Sequence, residues 1–175
     1  DRGSVTATMA FLKLFISLGQ GIDACIRPLR WLALMMVLVT FAIVVLRYAL
    51  NSGGALLQES VMYMHGALFM LAIALGIRDN SHVRVDIVYS RRSAAQQGWI
   101  DLLGHVFFLL PVAGFMVWVS LPYVLNSWRI LEGSNEVGGI PGVFLLKTLI
   151  PLTGALLFLQ GLSAIASILL EKTHS

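Results

Sequence analysis

Four long apolar segments divide the chain, and each is long enough to cross a bilayer as a helix. The hydrocarbon core of a bilayer is about 30 Å thick and needs about 20 helical residues. The segments cover approximately residues 29–50, 59–77, 100–127 and 141–170. Lys147 alone interrupts the last of them. The pattern therefore predicts an all-α integral membrane protein with four transmembrane helices.

A shorter amphipathic segment precedes the first span, over about residues 10–26. At 100° per residue, one helix face is apolar and the opposite face is polar. The apolar face comprises Phe11, Phe15, Leu18, Ile22 and Ile26, and the polar face comprises Lys13, Ser17 and Gln20. Such a helix is expected to lie in the membrane interface. Residues 1–8 look like a tag or linker remnant, so a single membrane domain is predicted for residues 9–172.

Composition supports a membrane protein and argues against a nucleic-acid-binding one. Hydrophobic residues make up 58% of the chain and charged residues only 12%, against about 25% charged in ordinary soluble domains. A net charge of +3, spread over separate clusters, forms no continuous basic stripe of the kind that binds nucleic acid. The chain has one cysteine, Cys25, so no intrachain disulfide can form.

The distribution of basic residues predicts the orientation in the membrane. With four spans, both termini lie on one side, and that side carries nine of the twelve Lys and Arg residues. Arg47, Arg129 and Lys147 lie on the other side or near its edge. The positive-inside rule then places both termini in the cytoplasm, together with the charged loop between the second and third spans. Ser93 followed by Gln96 predicts a capping box at the start of the helix that leads into the third span.

Three ionisable side chains, His65, His105 and Lys147, are candidates for chemistry at membrane depth, where pumps and transporters need such groups. The two histidines lie in opposite halves of the bilayer, about 15 Å apart in depth. Two axial ligands must reach the same iron, so this depth argues against a bis-histidine haem. Lys147 can extend its amine towards the interface, or it can pair with a carboxylate of its own outer loops or of a partner.

No spacing of residues indicates a metal site, a phosphate-binding loop or a catalytic triad. The glycine-rich stretch GSNEVGGIPG, residues 133–142, lies in an outer loop, where glycines are typical of turns. No cofactor is therefore expected in this chain. Taken alone, the residues predict a membrane protein without chemistry of its own that supports a larger membrane partner.

Several motifs resemble the small (Q-type) membrane subunit of tripartite ATP-independent periplasmic (TRAP) transporters. They are RYALN at residues 47–51, QESVMY at 58–63, GIRDNSHVRVDIV at 76–88 and GGIPGVFLLKTLIPL at 138–152. The third is the most specific, because the family typically shows an Arg, then a His, then Val-Asp there. The resemblance extends in order over about residues 10–170.

This resemblance implies a non-enzymatic scaffold role in the inner membrane of a bacterium. A large polytopic subunit would carry the organic-acid substrate and the sodium ions, and a periplasmic binding protein would deliver the substrate. Arg47, Asn51 and Glu59 would face the periplasm and contact one of these partners. Arg78, His82, Arg84 and Asp86 would form a polar cluster in the inner loop, held by an Arg–carboxylate pair or by phospholipid head groups.

Three other functions remain compatible with a four-helix membrane protein. The first is the membrane anchor of a quinone-linked oxidoreductase, which would bind haem. The second is a small exporter that works alone, which would need a carboxylate inside the membrane. The third is a structural membrane protein that is stable without any partner.

Overall fold

The computed structural model describes residues 2–51, 53–78, 89 and 91–174. All regular elements among these residues are helical, which confirms the predicted fold class. The α-helices are α1 (Arg2–Ile26), α2 (Arg30–Ala49), α3 (Ala55–Arg78), α4 (Ala94–Gly104), α5 (Leu110–Arg129) and α6 (Val143–His174). A short 3₁₀ turn, Arg27–Leu29, joins α1 to α2, and a π-helical segment, His105–Leu109, joins α4 to α5.

Four helical stretches among the described residues are long and apolar enough to cross a membrane, as the hydrophobic pattern predicts. They are Met9–Ala49, Ala55–Ala74, Gln96–Arg129 and Val143–Leu170. The first of these stretches is longer than the predicted span because α1 and α2 follow one another with only the 3₁₀ turn between them. α1 also begins at Arg2, so it includes residues that the sequence analysis set aside as a remnant.

Helix α6 is the centre of the bundle, because it packs against α1, α3 and α5. Small residues make this close packing feasible, as is typical of membrane helices. Ala113 and Ala166 are almost completely buried. A Cβ added to Gly154 would lie 2.8 Å from a methyl group of Val117 and 3.1 Å from the carbonyl oxygen of Ala113. The helix interface at this position therefore has room only for glycine.

Helix α2 packs against α3 and contains no buried residue. Its large apolar side chains face outwards, and Phe41, for example, is 67% exposed. Apolar patches of this extent are rare on soluble monomers and mark surfaces covered by lipid or by another protein. The outward face of the bundle is therefore suited to a membrane and not to water.

Three prolines lie in or at the start of the long helices without ending them. Pro111 lies two residues after the end of the π-helical segment. At the end of this segment, the N–H of Leu110 bonds to the carbonyl of His105, five residues earlier. Proline cannot donate a backbone hydrogen bond, and a single widened turn is a common local adjustment in such helices. Pro122 and Pro151 lie inside α5 and α6 respectively.

Helix α1 packs on α6 through a face that only partly overlaps the apolar face predicted from the sequence. Among the residues of α1 whose side chains the structure describes, Gly19, Asp23 and Ile26 are buried. Ile26 belongs to the predicted apolar face, whereas Phe11 and Leu18 of the same face are exposed. The buried face contacts α6, where the side chain of Gln160 lies next to Gly19 and Asp23. The buried face of α1 thus combines a glycine and a polar residue with Ile26, while Phe11 and Leu18 remain outside.

Candidate functional site

The loop between α5 and α6, residues 130–142, is fixed to α3 by the carboxylate of Glu59. The Ser134 hydroxyl donates a hydrogen bond to Oε1 of Glu59, and the backbone N–H of Ile140 donates to Oε2 at 2.6 Å. Both donors are more than seventy residues away in the chain, with separations of 75 and 81. The two bonds therefore hold the loop against the first turns of α3. We call this end of the bundle, residues 47–59 and 130–142, the loop end.

The loop also has an ordered backbone of its own. The N–H of Ser134 bonds to the carbonyl of Ile140 at 3.1 Å, and the N–H of Gly139 bonds to the carbonyl of Glu136 at 3.0 Å. Gly138 has a φ of +76°, a conformation that glycine adopts at little cost. A Cβ added to Gly139 would lie 2.7 Å from Oε1 of Glu59. The glycines thus serve the turn and its close approach to α3, in line with turn chemistry.

Lys147 forms an ion pair with Glu132 at the same end of the bundle. Its amine lies 2.7 Å from Oε1 and 2.6 Å from Oε2 of the carboxylate. The hydroxyl of Ser127 donates to Oε2 at 2.6 Å, and the Lys147 amine lies 4.2 Å from the centre of the Tyr123 ring. A cation over an aromatic face gains further electrostatic attraction. Lys147, near the start of α6, is thereby linked to the end of α5.

An aromatic contact supports the same junction between α5 and α6. The indole N–H of Trp128 donates to the Thr148 hydroxyl at 2.8 Å. The rings of Trp128 and Phe144 meet edge to face with their centres 4.6 Å apart. The N–H of Phe144 also bonds to the carbonyl of Glu132 at 3.3 Å. The loop is therefore anchored on α6 as well as on α3.

The ion pair predicts a specific dependence of stability on pH. The hydrogen bond from Lys147, and after it the bond from Ser127, lowers the pKa of Glu132 below its ordinary value of 4.5. A carboxylate with a lowered pKa contributes stability above its ordinary pKa and loses it as the pH falls through the lowered value. We therefore expect the difference in melting temperature between the unmodified protein and Glu132→Gln to be constant from neutral pH to about pH 5. The difference should shrink only below 4.5.

Thermal unfolding in detergent over a pH series measures this difference. Glu136→Gln is the matched control, because Glu136 is an exposed acid of the same loop and its described hydrogen bonds use its backbone. The melting temperature of Glu136→Gln should stay close to that of the unmodified protein at every pH. A difference for Glu132→Gln that already declines near neutral pH would contradict the lowered pKa.

The structure separates the three residues that the family resemblance placed on the periplasmic side. Arg47, in the last turn of α2, and Asn51, in the turn between α2 and α3, are both exposed. Asn51 has a φ of +48°, and the Arg47 guanidinium reaches over Gly53, where a Cβ would lie 3.9 Å from Nε. The polar partners of Glu59 in the described structure are Ser134 and Ile140, and Arg47 is not among them. Glu59 thus supports the loop, while the other two present their side chains outwards.

The predicted inner-loop cluster lies mostly outside the described residues. Arg78 is the last residue of α3, and His82, Arg84 and Asp86 fall in the part of the chain that the structure does not describe. Polar contacts are described for residues that follow this part of the chain, from Tyr89 onwards. The Tyr89 hydroxyl donates to Asp101 at 2.7 Å, and the Gln96 side chain accepts from the N–H of Ser93 at 3.3 Å. The capping box predicted at the start of α4 is confirmed.

A buried polar contact between α1 and α6 was not predicted from the sequence. The amide of Gln160 donates to the Asp23 carboxylate at 2.7 Å and to the carbonyl of Gly19 at 3.2 Å. Asp23 and Gln160 are each only 2% exposed. The available signal was Gln160 itself, because a lone polar amide in an apolar span commonly bonds to a neighbouring helix.

The two histidines of the predicted spans occupy different surroundings. His65 is exposed and its ring stacks near that of Phe69, with centres 6.1 Å apart. Nδ1 of His105 lies 2.6 Å from the carbonyl oxygen of Asp101, one turn earlier. Among the described residues, no group of three or more His, Cys, Asp or Glu side chains could hold a metal ion.

These features define a small all-helical membrane protein with a rigid loop end, and comparison with known proteins gives its family. Residues 36–171 match the model of the DctQ component of tripartite ATP-independent periplasmic transporters. The chain belongs to this family and is a small membrane component of a transporter, not an enzyme. The anchor of a quinone-linked oxidoreductase, which the sequence analysis left open as an enzyme-class alternative, is not favoured by any described contact.

One curated relative matches over part of its length. It is a protein of Haemophilus influenzae named "Putative TRAP transporter small permease protein", to which the chain is 28% identical over 106 residues. The match covers 58% of this chain and 64% of the relative, so the chain spans less than two thirds of the relative's length. No solved structure matches the chain.

Proposed function

We propose that this chain is the small membrane subunit of a sodium-gradient-driven, binding-protein-dependent uptake transporter for organic acids. It braces the large transport subunit and helps to dock the periplasmic binding protein. Family membership and the printed name of the Haemophilus influenzae relative support a small permease subunit. Substrate and sodium would bind to the large subunit.

The observation that carries the scaffold role is that four carboxylates among the described residues, in or near the membrane helices, have partners within the chain. A transport site must leave polar groups available for an ion or substrate. The four carboxylates are Asp23, which binds Gln160; Glu59, which binds Ser134 and Ile140; Asp101, which binds Tyr89; and Glu132, which binds Lys147. These groups stabilise the bundle and its loop end, which supports bracing rather than conduction.

The orientation proposed for the chain places the loop end in the periplasm and both termini in the cytoplasm of a bacterial inner membrane. Its support is the excess of basic residues on the side of the termini, nine against three, together with the positive-inside rule. On this orientation Arg47 and Asn51 present exposed polar groups to the periplasm. Glu59 acts indirectly, since it holds the loop of residues 130–142 in place.

The exposed side chains of this loop suit a docking surface for a partner. Ile130 and Leu131 are 66% and 64% exposed, and Val137 is 99% exposed. Interfaces combine such apolar contacts with a polar rim, which Arg47 and Asn51 would supply. We also propose that a polar cluster fixes the inner loop, through an Arg–carboxylate pair or through contacts with phospholipid head groups. Its residues are Arg78, His82, Arg84 and Asp86.

Recovery of the chain from native membranes in mild detergent, followed by mass spectrometry of what remains bound, tests this proposal. We expect a large polytopic membrane protein in a one-to-one ratio. Reconstituted into liposomes with the binding protein and an inward sodium gradient, the large subunit should take up an organic acid only when this chain is present. Recovery of the chain alone, or with a flavin or iron–sulfur subunit, would contradict the proposal.

A further inference from the structure

The exposed charges on α1 and the turn after it are all positive over residues 9–30. Lys13, Arg27 and Arg30 are exposed, whereas Asp23, the one acid in this segment, is buried against Gln160. Burial of the acid therefore converts a segment of mixed charge into a purely basic surface. A basic surface of this kind is attracted to the head groups of anionic lipids.

The same segment carries an unpartnered apolar face. Phe11, Leu14 and Leu18 are 60%, 55% and 46% exposed. At 100° per residue, this face lies about 130° around the helix from the face packed on α6, which contains Gly19 and Asp23. Lys13 lies on a third face. Packed, apolar and charged faces on three sides of one helix are the arrangement expected when a helix lies beside a bundle in the membrane surface.

The apolar face is also continuous with a surface suited to lipid. Only the three-residue turn Arg27–Leu29 separates α1 from α2, whose side chains are all at least partly exposed. The guanidinium of Arg30 lies 6.0 Å from the centre of the Trp31 ring, and Trp31 is 60% exposed. Tryptophan is enriched at the boundary between lipid and water, and arginine forms paired hydrogen bonds with phosphate.

We propose that α1 and the Arg27–Arg30 turn form a binding surface for an anionic lipid bilayer. Phe11, Leu14 and Leu18 enter the part of the acyl-chain region that lies next to the lipid head groups. Arg27 and Arg30 bind lipid phosphates. The Asp23–Gln160 contact holds α1 on α6 at this level. The proposal concerns lipid only, and it is independent of which partner subunit or substrate the transporter has.

The test uses the full chain in nanodiscs of phosphatidylcholine and phosphatidylglycerol. Cys25→Ser removes the exposed native thiol, and Leu14→Cys then receives a fluorophore. Spin-labelled lipids, with the quencher either near the head group or near the end of the acyl chain, report depth. We expect stronger quenching from the shallow position. At equal quencher content, we also expect spin-labelled phosphatidylglycerol to quench more than spin-labelled phosphatidylcholine.

Matched labels and variants keep each outcome interpretable. A label at Phe41→Cys on α2 should be quenched from the deep position, and a label at Val137→Cys in the loop should not be quenched. The double variant Arg27→Gln/Arg30→Gln should lose the preference for phosphatidylglycerol at Leu14→Cys, whereas Arg129→Gln at the loop end should keep it. Stronger deep quenching at Leu14→Cys, no quenching there, or equal quenching by both lipids would each overturn the proposal.

Discussion

Replacing Gln160 with leucine is expected to lower the free energy of unfolding by about 2 kcal/mol. Neutral hydrogen bonds between membrane helices average only about 0.6 kcal/mol, but a bond to a charged group contributes about 1.5–3 kcal/mol. The amide of Gln160 binds the Asp23 carboxylate and also the carbonyl of Gly19. Asp23 is 2% exposed, so water can replace the lost donor only if α1 moves away from α6.

Two further variants separate the polar contact from a change in packing volume. Asp23→Asn keeps an acceptor for the Gln160 amide, so its loss of stability should be small. The double variant Asp23→Leu/Gln160→Leu removes both polar partners, and its stability should exceed that of Gln160→Leu alone, because no carboxylate is then left without the amide. Unfolding of the full chain in mixed detergent micelles measures all three. A double variant that is no more stable than Gln160→Leu alone would show that Asp23 and Gln160 do not interact.

The four membrane helices could be predicted from the sequence because their signal is local and strong. A long apolar run must form a helix in lipid, since every backbone polar group needs a partner within the segment. Local departures from α-helical geometry, which depend on two or three residues, were harder to predict from the sequence. The π-helical segment His105–Leu109 comes just before Pro111, and the 3₁₀ turn Arg27–Leu29 contains Pro28. A proline alone does not determine which of these forms the helix adopts.

The contacts of the candidate site could not be predicted, because they join residues that are distant in the chain. Glu59 was singled out from the sequence, but its donors Ser134 and Ile140 follow 75 and 81 residues later. Asp23 and Gln160 are separated by 137 residues. A single sequence shows which side chains need partners but not which partner the folded chain supplies.

The packed face of α1 was missed for a physical reason. In water, the apolar face of a helix is buried in the core, and this expectation selects Phe11 and Leu18. In a membrane, moving an apolar side chain from lipid into a helix contact provides no hydrophobic free energy. Membrane helices therefore associate through small and polar residues. The buried positions Gly19 and Asp23 follow the second rule. The apolar face of α1 therefore indicates mainly the side that faces lipid, with Ile26 at its edge buried in the bundle.

Replacing Glu59 with alanine is expected to release the loop of residues 130–142 from α3. The carboxylate accepts hydrogen bonds from the Ser134 hydroxyl and the N–H of Ile140, and each bond to a charged acceptor contributes about 1.5–3 kcal/mol. Since about 1.4 kcal/mol corresponds to a factor of ten, loss of the carboxylate should accelerate hydrogen exchange at the Ile140 amide by about tenfold or more. Hydrogen exchange of the full chain in nanodiscs, read on peptides that contain Ile140, measures this change.

The controls for Glu59→Ala come from the same helix and loop. Glu59→Gln keeps one acceptor oxygen without the charge, so its exchange rate at Ile140 should be intermediate. Glu136→Ala removes an exposed acid whose described hydrogen bonds are made by its backbone, and it should leave the rate unchanged. Exchange at Ile140 that is equally slow in Glu59→Ala would mean that the loop does not depend on α3. If the loop instead loosens as expected, the proposed function predicts that uptake by the reconstituted transporter falls while the large subunit still co-purifies. On that proposal Glu59 would shape the docking surface through the loop and would not itself form the contact between subunits.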